Sequence, residues 1–171
     1  MFNKYIKIAI AVAILAWSVY EFTLKHIGNG ISLILLAGIF VFFYFKNEFL
    51  LLAFLRLRKQ DFPGAEKWLN YIKNPSSALV KKQEGYYNFL HGLIVSQTNL
   101  TQAEKYFKRA LNLGLSMSHD RAMATLQLAG LAMAKRRKRE ATTLLAEAKK
   151  LDKHGMLTDQ IRMLKDQMKK I

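Results

Sequence analysis

The sequence predicts an all-α protein in three parts: a two-helix transmembrane hairpin over 1–45, a short helical-hairpin solenoid over 46–154, and an amphipathic capping helix over 155–171. Three observations carry this prediction. Two uncharged apolar runs, 8–20 and 27–45, stand close together near the N-terminus. Beyond them a pattern recurs every 38 residues, aligning Ala65 with Ala103 and Ala141, Leu69 with Phe107 and Leu145, and Ile72 with Ala110 and Ala148. Finally, Leu157, Ile161, Leu164, Met168 and Ile171 follow one another at spacings of 4, 3, 4 and 3, with charged residues elsewhere. A fixed period of this size marks stacked helical hairpins: the small residue lets two helices approach, and the positions four and seven residues on share its face.

Extending the first run to Tyr5 and Leu24 gives 20 residues, about 30 Å of helix, which is the thickness of a bilayer core. Lys7 and Glu21 fall near its ends, where long side chains reach back to water. The second run has 19 residues and closes on Phe-Val-Phe-Phe-Tyr-Phe. Between them, His26-Ile27-Gly28-Asn29-Gly30 predicts a tight turn in which glycine supplies unusual backbone angles. A cleaved signal peptide is an alternative for 1–24, but no small-x-small site follows and a second apolar run comes directly after. A buried pair of soluble helices is another, against which both runs are apolar on all faces.

Basic residues set the expected orientation. Lys25 alone lies near the turn, whereas Lys4, Lys7, Lys46, Arg56, Arg58 and Lys59 lie on the other side. Both termini are therefore expected in the cytoplasm, with a bacterial inner membrane as the expected location. The absence of cysteine fits a domain without disulfides. Residues 46–59 carry no breaker, which predicts one long helix running from the second span into the first repeat.

Local signals mark the hairpin ends. Asp61 is placed to cap a helix with Pro63 in its first turn, and Thr101-Gln102-Ala103-Glu104 has the form of a capping box. Asn74-Pro75-Ser76-Ser77 separates the first repeat from the second, and Gly114 and Gly155 suit helix ends. The first helix of each pair carries Leu52-Ala53, Leu90-His91 or Leu128-Ala129, and the second carries the alanine pattern above. Over residues 46–153 this resembles the tetratricopeptide repeat family, with a membrane anchor added. The chain departs from that family in several places. Its period of 38 exceeds the usual ~34, and the closing proline is out of register. His91 fills a small position and is followed by Gly92, and Lys138 stands where Phe62 and Leu100 supply bulk.

The resemblance implies a peptide groove on the inner face of the first helices. Carried onto this chain, it comprises Asn88, Gly92, Val95 and Ser96, with Met123, Leu126, Gly130 and Met133 from the third repeat. That face is small, apolar and Met-containing, suited to an apolar helix or extended segment. It lacks the Lys, Arg and Asn set that clamps a terminal carboxylate in some family members. The alternative is that the solenoid buries this face against its own tail helix or a neighbour.

The net charge is +15, and residues 56–171 hold 23 Lys and Arg against 10 Asp and Glu. The densest cluster is Lys135-Arg136-Arg137-Lys138-Arg139, in the turn of the third repeat. Anionic lipid headgroups attract such clusters by about 1 kcal/mol per basic residue, and an acidic protein surface would do likewise. Nucleic acid would be attracted for the same reason, but no aromatic-basic interleaving favours it. A solvated turn is the plain alternative. His26, His91, His119 and His154 are scattered without metal-ligand spacing, and neither a phosphate-binding glycine loop nor a nucleophile elbow is present. No catalytic residue, cofactor or metal is therefore expected. The expected role is a membrane-anchored adaptor that binds a protein partner at the cytoplasmic face; the alternative is a small accessory subunit of a larger membrane complex, acting through its hairpin.

Overall fold

The computed structural model describes residues 4–45 and 47–169, without the side chains at 4, 7 and 43–45, and among them every regular element is a helix. Lys46 and Ile171, and the side chains of Lys4, Lys7 and Phe45, lie outside the described residues. The chain divides into two compact units between Gln83 and Glu84.

In the first unit, α1 (Lys4–Thr23) and α2 (Ile27–Phe45) form a helical hairpin. Its seam is built from small residues: Ala11, Ser18, Gly30 and Ala37 are buried. The Ser18 hydroxyl donates to the Gly30 carbonyl at 2.8 Å. A Cβ on Gly30 would lie 2.7 Å from the Phe22 ring, so glycine serves close approach here. The turn falls earlier than the glycines suggest. Lys25 takes the left-handed conformation (φ 61°) and Gly28, Asn29 and Gly30 lie inside α2, correcting the expected glycine turn. Glu21 organises this end, with Trp17, His26 and Asn29 side chains at 3.3, 3.1 and 3.4 Å. That polar cluster ends the apolar run of α1 before the helix itself ends. Among the described residues no helix is long and apolar enough to cross a membrane. The hairpin is thus present as a helix pair, and the expected spanning of a bilayer does not follow from it.

The predicted continuous helix from the hairpin into the repeats is also corrected. Buried Asn47 is extended (ψ 127°) and its side chain accepts from the Phe49 and Leu50 amides at 3.1 and 3.3 Å. A buried asparagine that satisfies two free amides starts a new helix, α3 (Glu48–Arg58). Against α3 packs α4 (Phe62–Asn70), burying Leu50, Ala53, Ala65 and Leu69. Asp61 caps α4 through the Gly64 amide at 2.9 Å. Leu52, expected to pack beside Ala53, is 37% exposed. A one-turn helix, α5 (Pro75–Ala78), occupies the proline-bearing linker.

Helix α6 (Lys81–Val95) crosses the boundary between the units. The second unit continues with α7 (Leu100–Leu113), α8 (Ser118–Ala134), α9 (Lys138–Leu151) and α10 (Thr158–Met168). The second helices α4, α7 and α9 begin at 62, 100 and 138, so the 38-residue period is kept to the residue. Ala65, Ala103 and Ala141 are at most 1% exposed, and Leu69, Phe107 and Leu145 at most 2%. The fold is helical and repeat-like. Gly114 and Gly155 adopt positive φ (92° and 67°) at helix ends. Asp152 accepts from the Met156 and Leu157 amides at 3.1 and 2.8 Å, directing the chain into α10. Leu157 and Ile161 then join Ala122, Leu126, Ala129, Leu145 and Ala148 in one core, with Leu164 and Met168 packed at its edge.

Because Ala103 has no exposed surface, Ala103→Leu must separate two packed helices, at a cost of roughly 1–3 kcal/mol. The same leucine at exposed Gln102 is expected to change stability far less. Chemical denaturation of the full chain in detergent compares the two; equal midpoints would count against close packing at Ala103.

Candidate interaction surface of the repeats

The second hairpin is closed unusually tightly. A Cβ on Gly85 would lie 2.6 Å from the Gly114 carbonyl oxygen, and one on Gly92 would lie 2.8 Å from the Phe107 ring. Phe89 meets Phe107 edge-on at 6.0 Å. His91 replaces the small residue of the other hairpins by lying between Tyr87 (4.5 Å) and Tyr106 (5.3 Å, stacked). Its Nε2 is buried without a partner, and burial holds its pKa below the usual value. Burial likewise raises the Tyr87 phenol. Tyr86 is pushed up to about 12 by burial and by its hydrogen bond to Asp120 at 2.5 Å, which ties α6 to α8. His91 is thus a ring packed between two aromatic side chains.

Glu84 pairs with Arg109 at 2.7 Å across α6 and α7, and the Asn88 amide donates to the Glu84 carbonyl at 2.7 Å. Beside this pair lies an open cleft of about 490 Å³, lined by Asn88, Asn99, Thr101, Lys105, Tyr106 and Arg109 among others. Its lining mixes polar and apolar surface and includes two cations, Lys105 and the Glu84-paired Arg109, and no cluster of metal-ligating side chains occurs among the described residues.

The expected capping box at the start of α7 does not form. Asn99 caps the helix instead, accepting from the Thr101 and Gln102 amides at 3.1 and 3.0 Å. Glu104, freed from that task, becomes the centre of an ionic cluster. It accepts from Arg137 at 2.6 and 3.1 Å, from Lys135 at 2.7 Å and from Lys108 at 2.7 Å. Arg137 also reaches Glu140 at 2.8 Å. These donors, Arg137 foremost, hold the Glu104 carboxyl well below the usual carboxylate range. The cluster joins the start of α7 to the α8–α9 turn.

Of the five basic residues expected in the turn, Lys135 and Arg137 face inward from it onto Glu104 and Arg136 is exposed there, whereas Lys138 and Arg139 are the exposed first residues of α9. The eight groove candidates are not gathered on one open face. Buried Asn88 and Gly92 face α7, and Val95 and Ser96 are half-buried at the end of α6. Leu126 lies in the core with α10 residues, Met123 packs against that core, and Met133 is half-buried. Gly130 lines a second cleft, about 260 Å³, with Leu126 and Gln127 of α8 and Gln160, Met163, Leu164 and Gln167 of α10.

The Glu104 cluster was the feature hardest to foresee, yet a signal for it exists. The cap position of the repeats falls at Asp61, Asn99 and Arg137, exactly one period apart. An arginine cannot accept from a free amide, so its presence at a cap position points to a different partner. Comparison with protein-family models, with curated proteins and with solved structures gives no match.

Replacing Glu104 by Gln removes a charge shared by three cations, an expected loss of roughly 1–3 kcal/mol near neutral pH. A depressed carboxyl pKa contributes stability that is complete above the unfolded-state value and is lost as pH falls through the folded value. The difference between parent and Glu104→Gln should thus stay constant from about pH 7 to 5 and shrink below about pH 4. Denaturation midpoints across that range test it; a gap independent of pH would exclude the charge as its source.

Proposed function

We propose that the protein is a membrane-anchored, non-enzymatic adaptor of the tetratricopeptide-like kind, held by α1–α2 and presenting its repeats to a protein partner at the cytoplasmic face. The inverted polarity of the hairpin supports this most. Small residues fill its seam while Val12, Trp17, Val19, Ile27, Leu35 and Phe42 are each more than half exposed. Apolar surface costs about 25 cal/mol per Å² in water, and contiguous patches of this kind mark interaction or membrane sites. In lipid the arrangement becomes favourable, because helices there close on small residues and turn large apolar ones outward. Counted end to end, α1 and α2 have 20 and 19 residues, close to the ~20 that a bilayer core requires.

The repeat surface favours an acidic partner. Arg136 in the α8–α9 turn and Lys138 and Arg139 at the start of α9 are exposed, Lys105 is exposed beside the α6–α7 cleft, and the chain carries +15 overall. Complementary charge steers such encounters and sets their specificity. A small structural subunit acting mainly through α1–α2 is the second reading, and the same inverted hairpin favours it.

The chain has no cysteine, so single introduced thiols report its topology directly. In intact cells a membrane-impermeant reagent is expected to label Asn29→Cys, while Lys153→Cys becomes labelled only after permeabilisation. Equal labelling of both before permeabilisation would remove the two-span arrangement. A separate test concerns the partner. The double change Lys138→Glu and Arg139→Glu should abolish crosslinking to the partner in native membranes while leaving the chain membrane-bound. Unchanged crosslinking would favour the structural subunit.

A further inference from the structure

Helix α3 has an inverted face of its own. Leu50 and Ala53 are buried toward α4, yet Leu51, Leu52, Phe54 and Leu55 are 37–45% exposed. Leu51, Phe54, Leu55 and Arg58 follow at i, i+3, i+4 and i+7, so they form one continuous strip along the helix. A helix facing water would carry polar residues there. At the end of this strip Arg58 and Lys59 are exposed, while Arg56 is held by Asp61 at 3.0 Å.

Chain connectivity limits what can cover this strip. Helix α2 ends at Phe45 and α3 begins at Glu48. Three virtual bonds of about 3.8 Å keep their Cα atoms within ~11 Å of each other. The headgroup layer on each side of a bilayer is itself about 5–8 Å thick. If α2 ends at the edge of the acyl core, the start of α3 lies within the headgroup layer or only a few Å beyond it. An apolar strip ending in cations, 11 residues long, has the chemistry of a helix lying in that plane.

We propose that α3 is an interfacial segment: Leu51, Phe54 and Leu55 seat at the acyl-chain boundary of the membrane that holds α1–α2, and Arg58 and Lys59 meet lipid phosphates. The proposal rests on the anchoring of α1–α2 argued above, and its test separates the two. The native tryptophans are Trp17 in α1 and Trp68 in α4. The full chain is reconstituted in phosphatidylcholine vesicles with a minority of phosphatidylglycerol, with and without lipid brominated near the headgroup. Trp68→Phe leaves Trp17 as the reporter of the hairpin. Trp17→Phe and Trp68→Phe combined with Phe54→Trp, or with Leu55→Trp, report on α3, and far-UV circular dichroism confirms that each variant is helical. The expected result is blue-shifted emission at 54 and 55 that loses most of its intensity to brominated lipid. Water-like emission, indifferent to bromine while Trp17 is quenched, overturns the proposal and leaves the anchor intact. Blue-shifted emission without quenching also overturns it, since a second protein chain would then cover the strip. Quenching at 54 and 55 with Trp17 unquenched keeps the interfacial helix and removes the spanning hairpin.

Discussion

Each second helix of the repeats meets its partner at an alanine with almost no exposed surface: Ala65, Ala103 and Ala141. Everything else in the repeats is arranged around that closeness. With the backbones near each other, the residue four positions on is driven fully into the seam, which is why Leu69, Phe107 and Leu145 are buried. The second hairpin carries this furthest. Its backbones approach at Gly85, where no Cβ fits, and the Phe107 ring fills the space that Gly92 leaves. Once a phenylalanine occupies the seam, a flat ring suits the next position better than a methyl group. His91 fits between Tyr87 and Tyr106 for that reason, despite a buried nitrogen without a partner. Loss of that nitrogen's water is offset by two ring contacts.

The repeat register also explains the charge distribution. Asp61 and Asn99 each satisfy free amides at the start of a second helix, and Arg137, one period later, cannot. The third hairpin compensates across elements rather than within one. Arg137 and Lys135 reach back to Glu104 on α7, so a lost cap becomes a bond between successive hairpins. The same contact relieves the crowding of five adjacent cations, since like charges held this close repel unless a carboxylate lies among them. What the turn offers to an outside partner is accordingly smaller than its sequence suggests.

Much of the helical pattern was legible because it depends on backbone periodicity. The 38-residue shift gave the buried positions of α4, α7 and α9, and the amphipathic spacing after Gly155 gave α10. What stayed hidden depended on competition between neighbours. Asn47 reads as one polar residue in a leucine-rich stretch, yet its side chain is the better acceptor for two amides and ends the continuity of the helix. Thr101 and Glu104 match a capping box, but Asn99 stands two residues earlier and Glu104 finds stronger donors in two side chains of the next turn. Glycine at 28 and 30 suggested a turn, whereas the turn needs only one left-handed residue and Lys25 supplies it. For the surface, the family pattern placed Asn88 and Gly92 on an inner groove face; Gly92 instead lies against the Phe107 ring, and Asn88 is buried with its amide on the Glu84 carbonyl.

The contrast between the two hairpin types in this chain bears on where each belongs. In α8–α9 small residues close the seam, large apolar residues complete the core, and the outer surface is charged. In α1–α2 small residues again close the seam, but the large apolar residues point away from it. In water such exposed apolar surface is unfavourable by about 25 cal/mol per Å², a cost that a lipid phase or a protein surface around the pair would remove. On the proposed reading the first is supplied by a membrane, and α3 marks the transition between the two environments: its Ala53 side follows the rule of the repeats, while Leu51 and Leu55 follow that of the hairpin.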